Sequence, residues 1–194
     1  GAFEDERVLS HDFLEGHYLR TGLSSDVVFM DGYPKNYISW AQRQHRWTRG
    51  DWQHLAWLKG TVKNKEKEIY SNPIDNLGKY QIIDNLRRSA LPIFAAIVII
   101  LGLTIFKKLP FFLFLVGFTP YFFEPIISLI VNLINLVKNR KKGATLIDAF
   151  LETKDAFFES FYKFSFLLFE AYLMLDAIFR TLYRMIISKK SFSS

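Results

Sequence analysis

Cysteine is absent from the 194 residues. That excludes a disulfide framework, a thiolate nucleophile and any cysteine-ligated metal, and it leaves the redox compartment undetermined. The first 30 residues are charged and hold no apolar run of the kind a secretory leader needs, so the sequence reads as having no signal peptide there. It opens on Gly1 inside that charged stretch and reads as a fragment or a processed product. No self-similarity with a period of 20–50 residues is visible, which excludes a solenoid or propeller reading. A basic excess is missing from the part that looks soluble. Residues 1–60 carry 7 basic and 8 acidic side chains, against 8 and 4 in residues 61–108 and 10 and 7 in residues 109–194. A nucleic-acid binder concentrates positive charge on its folded domain, whereas a membrane protein concentrates it beside its spans. The distribution fits the second and argues against a nucleic-acid partner.

Apolar and aromatic residues are abundant. Half of the chain is hydrophobic and 20 residues are Phe, more than an ordinary soluble core of this size needs. Ser89 to Phe106 is a run of 18 residues without charge, ~27 Å as a helix, close to a ~30 Å hydrocarbon core. Lys107, Lys108 and Pro110 follow. Leu109 to Val137 is a run of 29 residues with one charge, Glu124. That is ~43 Å as a straight helix, so kinks at Pro120 and Pro125 or tilt are expected. A buried core helix is the alternative, but two such runs do not fit inside so small a soluble domain. Arg87 and Arg88 precede the first run, and Lys138, Arg140, Lys141 and Lys142 follow the second. The positive-inside rule then places residues 1–88 and 138–194 in the cytoplasm, as parts of a multi-pass protein of the cell (inner) membrane.

The rest of the pattern is helical. Asp12 opens a helix over Phe13, Leu14, Tyr18 and Leu19, with Gly22 as its stop. Residues 26–30 make a short β-rich run closed by Asp31-Gly32 and Pro34. A second helix runs from about Asn36 to Leu58 and carries all four tryptophans, Trp40, Trp47, Trp52 and Trp57. Residues 59–88 are polar, with a Lys/Glu run at 63–68, and read as a linker or interfacial segment. Leu146 to Ser188 is a long aromatic helix with charges throughout, suited to a membrane surface or a partner domain. Its stretch Phe164 to Phe179 leaves a third span open. Asp176, Arg180 and Arg184 stand at i, i+4 and i+8 and can pair along one face.

Two stretches have the residue types for chemistry. Asp12 at a helix start, after Ser10-His11 and before Glu15, would be kept ionised by backbone donors and could act as a general base. A plain capping arrangement, Asp12-x-x-Glu15, accounts for the same residues. Arg43, Arg46 and Gly50 fall on one helix face, and two guanidiniums there make an anion clamp beside Trp47. A solvated basic face over tryptophan packing accounts for these as well. His45 has no partners at zinc spacing, and the sequence offers no metal site.

The stretch Arg43-Gln44-His45-Arg46-Trp47 resembles the Q-x-x-R-W signature of processive inverting glycosyltransferases of the cellulose and hyaluronan synthase type. Ser10-His11-Asp12 resembles their T-E-D motif, and its distance of 34 positions from Arg46 fits. A closer resemblance is to the cyclic β-1,2-glucan synthases. It is carried by Leu9 to Gly16, by Arg43 to Gln53 and by the distal run Ala171 to Arg184, and residues 90–140 match in hydrophobic character. The resemblance implies a mainly α membrane protein. Residues 1–58 would be the acceptor-side, C-terminal half of a GT-A-like α/β glycosyltransferase domain. Residues 59–88 would be interfacial and 89–137 transmembrane. Residues 138–194 would be a cytoplasmic interfacial helix leading to a following glycoside-phosphorylase-like domain. It further implies a hexosyltransferase that builds a β-1,2-glucan from UDP-glucose, with the growing glucan and the lipid bilayer as partners. Asp12 would be the catalytic base. Arg46, Trp47, Arg43 and Gln44 would bind substrate, Arg46 at the leaving diphosphate and Trp47 under the acceptor sugar. Arg43 stands where the wider family has Gln, so that Gln's contact is not carried over. The donor half, with its Asp-x-Asp site and its divalent cation (Mg or Mn), has no counterpart here, so these 194 residues alone are expected to be inactive. The alternatives are another processive synthase of the cellulose synthase type and a non-catalytic membrane scaffold, for which Glu124 would be an unexplained intramembrane charge.

Overall fold

The computed structural model describes residues 12–19, 22, 28, 32–64, 66, 68–138 and 146–188. It is mainly α. Six helices are described: α1 (Asp12–Tyr18), α2 (Tyr37–Gln53), α3 (Asn76–Thr104), α4 (Pro110–Lys138), α5 (Leu146–Ser165) and α6 (Leu167–Tyr183). Strands β1 (Thr61–Lys63) and β2 (Ile69–Ser71) form a two-stranded antiparallel hairpin, the only sheet among the described residues. The β-rich run at 26–30 lies outside the described residues except for Val28, which is exposed and non-regular. The chain divides into two compact units, one of Gly1–Ala90 with Leu173–Ser194 and the other of Leu91–Tyr172.

In the first unit the core is small and aromatic-rimmed. Leu14 of α1 is fully buried among Trp57, Val62, Ile74 and Ile82, with Phe13, Tyr18, Tyr70 and Leu86 around them. A polar triad closes the edge: the Trp57 indole donates to the Tyr18 hydroxyl at 3.2 Å, and Tyr18 meets the Tyr70 hydroxyl at 3.1 Å. Buried Tyr and Trp need such partners, because an unpaired polar tip in a core is costly. Burial first, and then Tyr70, push the Tyr18 phenol above its usual range.

The segment read as a polar linker has structure of its own. Val62 alternates with exposed Thr61 and Lys63, the half-buried pattern of a strand. Asn64 and Glu68 close the turn: the Glu68 N–H donates to Asn64 Oδ1 at 2.8 Å, and the Asn64 N–H donates to the Glu68 carbonyl at 3.0 Å. Asp75 then caps α3 by accepting the Gly78 N–H at 2.8 Å. Gly78 is required by proximity, since a Cβ there would lie 2.5 Å from Ile74 Cγ2 and 2.8 Å from His17 Cε1. The helix thus begins well before the uncharged run at Ser89, because Ile82 and Leu86 give its polar first turns a buried face. Helix α2 ends at Gln53, not at Leu58. Its continuation His54–Leu58 tightens to a 3₁₀ turn, in which the His54 N–H reaches both the Asp51 and Trp52 carbonyls.

In the second unit one aromatic ring joins α5 to α4. Phe164 of α5 sits 5.3–6.1 Å from the rings of Phe114, Phe118, Tyr121 and Phe122, which share one face of α4. Ala95 and Ala96 of α3 pack on Leu167. At Gly117 a Cβ would meet Ile99 Cγ1 at 2.7 Å and the Ala95 carbonyl at 3.0 Å, so a small residue sets the approach of α3 and α4. Both helices are long and apolar enough to cross a membrane, and only 22% and 17% of their most apolar windows are covered by the rest of the chain. Such bare surface disagrees with the core-helix alternative. Helix α4 continues through Pro120 and Pro125. The distal helix is two, interrupted at Phe166, across which the ladder bonds Phe166 N to Tyr162 O and Glu170 N to Phe166 O persist. A π-helical turn, Arg184–Ser188, ends it.

Candidate active site

Asp12 is the first residue of α1. Its side chain, like Ser10 and His11, lies outside the described residues. What fixes the backbone there is its neighbours: Leu14 is fully buried, and the Phe13 ring packs on His17 and His54 at 4.7 and 5.1 Å. His17 also meets Gln81 of α3 at 2.9 Å.

Helix α2 has two faces. Asn36 caps it, accepting the Ser39 N–H at 2.8 Å. The outer face carries Arg46, exposed and without a protein partner among the described residues, and Trp47, 47% exposed. Arg43 donates to the Gly32 carbonyl at 3.4 Å, and its guanidinium stands 5.6 Å from the Trp47 ring centroid. One side of the indole is therefore occupied by a cation, which stabilises both groups by a cation–π contact. Gln44 is partly buried.

The inner face is tied down. His45 Nε2 meets Asp176 Oδ2 of α6 at 2.9 Å, and Arg180 Nε donates to the same oxygen at 2.7 Å. The Arg180 hydrogen bond in particular, aided by His45, holds the Asp176 carboxyl below its usual range. Thr48, buried, donates to Met174 Sδ at 3.1 Å. The Trp52 indole donates to Ser89 Oγ of α3 at 2.9 Å. Asp51 accepts from Asn85 Nδ2 at 3.3 Å. Burial pushes Asp51 up to about 6, against the opposing pull of Arg88 and Asn85.

The structure thus brings Arg43 and Trp47 into contact and leaves Arg46 beside them on the outer face. The His45–Asp176 pair was not anticipated, although the i, i+4 spacing of Asp176 and Arg180 pointed to their ion pair. Among the described residues no group of three His, Asp or Glu could hold a metal ion.

These features define a class: a mainly helical protein with two helices of bilayer-crossing length and a helix that presents an Arg/Trp face to solvent. No family model matches the chain. It is 32% identical over 188 residues, 96% of its length, to the cyclic beta-(1,2)-glucan synthase NdvB of Rhizobium meliloti (strain 1021). The chain spans 6% of that protein. It is thus a homologue of one segment of a cyclic beta-(1,2)-glucan synthase.

Proposed function

We propose that this chain is the acceptor-side and membrane-anchoring segment of an inverting glucosyltransferase that builds a β-1,2-glucan from UDP-glucose. The observation that carries the reading is the outer face of α2, where Arg46 and Trp47 are left open to solvent while the inner face is fastened to α3 and α6. Homology along nearly the whole chain to a segment of a glucan synthase supports it.

In this reading the Asp12 carboxylate takes the proton of an acceptor hydroxyl, whose oxygen attacks the anomeric carbon as the bond to the diphosphate breaks, inverting that centre. Arg46 offers a planar fork to the departing diphosphate, where negative charge grows in the transition state. Trp47 supplies a ring face for the acceptor sugar, and Arg43 and Gln44 flank it. The donor's uridine and its divalent cation would be held by a GT-A-like half outside these residues. Helices α3 and α4 are assigned as spans, with residues 1–88 and 138–194 cytoplasmic. The test is radiolabelled UDP-glucose transfer by the full-length protein and its Asp12→Asn variant. The amide keeps the helix start but accepts no proton, so a loss of ~10²–10⁴ in rate is expected. Turnover near that of the unaltered protein would remove Asp12 from the mechanism.

A further inference from the structure

Within the second unit the polarity of the distal helix is inverted. Glu170 is 8% exposed, whereas Leu168 beside it is 66% exposed and Phe166 and Phe169 stand open as well. A helix in water turns its carboxylates out and its phenylalanines in. A helix in lipid does the reverse, because an ionisable group there faces the protein interior. The hydroxyls agree. Thr153 and Ser160 of α5 are buried, and the exposed Ser165 donates to the Phe161 carbonyl at 2.8 Å, so it needs no water. Lys163 is exposed, but its ammonium reaches back one turn along α5 to Glu159 at 2.6 Å.

Depth can be counted along two helices. Phe164 meets the rings of Phe114, Phe118, Tyr121 and Phe122, so α5, which follows α4, runs back along it. Phe118 lies eight residues from Pro110, the non-cytoplasmic end of α4, a rise of ~12 Å. Leu167 packs with Ala95 and Ala96 of α3. Ala96 also lies eight residues from the non-cytoplasmic end of its helix, Thr104, again ~12 Å. Both counts put the junction of α5 and α6 near the middle of a ~30 Å hydrocarbon core.

Residue size indicates what covers the junction. Helices that meet inside a membrane do so through Gly, Ala, Ser and Thr, which let backbones approach closely. Here such residues, Gly117, Thr153 and Ser160, are buried, while Phe158, Phe161, Phe166, Leu168 and Phe169 are exposed. A face of that bulk suits fluid acyl chains rather than another helix. We infer that the α5–α6 junction, residues 161–169, is embedded in the bilayer as a third membrane segment, with its aromatic face against lipid acyl chains. The inference rests on α3 and α4 as spans and is independent of the glucosyl-transfer reading. It takes these residues out of the cytoplasmic placement of 138–194.

The experiment uses the full-length protein in phosphatidylcholine vesicles that carry a photoreactive phosphatidylcholine, its diazirine either at the end of an acyl chain or on the headgroup. After illumination and proteolysis, mass spectrometry reads which residues are labelled. The acyl-end probe is expected to label Phe161, Phe166, Leu168 and Phe169 as strongly as Phe123, an exposed ring of α4, and several-fold more than the headgroup probe does. Labelling of the junction by the headgroup probe alone would place it at the membrane surface and overturn the inference. Label on α4 but none on residues 161–169 would overturn it as well, since another part of the protein would then cover that face. If the acyl-end probe labels neither α3 nor α4, the span assignment itself fails, and the inference fails with it.

Discussion

His45 on α2 and Asp176 on α6 are 131 positions apart in the chain and meet at 2.9 Å. Their side chains are 20% and 27% exposed, so the contact is only partly screened by solvent. Ala at either position should cost ~0.5–1.5 kcal/mol, and a double-mutant cycle between them should show coupling near ~1 kcal/mol. The Asp176 carboxyl is held below its ordinary value, so the stabilisation is complete above that value and is lost as the pH falls through the lowered one. Chemical denaturation of the detergent-solubilised protein against pH measures both.

Asp51 behaves in the opposite sense. Its folded-state value is raised to about 6. The folded state therefore holds a proton more tightly than the unfolded chain, and stability declines as the pH rises from about 4 through about 6. Asp51→Asn should stabilise by ~1–2 kcal/mol at pH 7.5, after discounting for partial exposure, and should be close to neutral at pH 4. A melting-temperature gap that does not close on acidification would show that the Asn85 contact, not burial, dominates.

Arg46 and Trp47 share the open face but should fail differently. Arg46→Lys keeps the charge and loses the bidentate fork, so kcat for glucosyl transfer should fall roughly 10²-fold with little change in donor KM. Trp47→Ala removes one ring face and should weaken acceptor use by ~5-fold while sparing hydrolysis of the donor. Equal loss of transfer and hydrolysis would reassign Trp47 to packing with Arg43.

Gly78 separates backbone proximity from loop composition. A methyl group there would lie 2.5 Å from the Ile74 side chain and 2.8 Å from the His17 ring. Gly78→Ala should destabilise the first unit by ~1–3 kcal/mol although alanine is the better helix former. Urea titration followed by tryptophan fluorescence reads it, since Trp57 belongs to the same core. A neutral or stabilising outcome would mean that His17 swings aside.

Much of the helical frame was legible in the sequence. The run Leu109 to Val137 is nearly all of α4, because a long apolar stretch with a single charge, bounded by lysines, leaves the backbone little choice but a helix. The side of α2 that carries Arg43 and Arg46 follows from their i, i+3 spacing, but Gly50, read on the same face, is buried. The hairpin was not legible. Its strands have three residues each, and its Lys/Glu loop has the composition of a linker. What makes it a hairpin is the burial of Val62 against Leu14 and Trp57, a tertiary effect. The onset of α3 at Asn76 was hidden for the same reason. The candidate base, Asp12, was legible only through resemblance, since capping chemistry and general-base chemistry call for the same residue at a helix start. The inner-face contacts to Asp176 and Met174 have no local signature at all.

The first unit draws on both ends of the chain, Gly1–Ala90 and Leu173–Ser194. On a ribosome this sets an order of events. The 131 positions between His45 and Asp176 take on the order of 10 s to synthesise. Throughout that interval Thr48 and His45 lack the partners that later cover them, while α3, α4 and α5 emerge in between. The contacts of α2 to α6 thus form last, after the long apolar helices have been made. A nascent chain stalled ahead of Leu173 would carry the Arg46 and Trp47 face on a helix held by its contacts to α3 alone, so completion of its inner face is a late step of biogenesis.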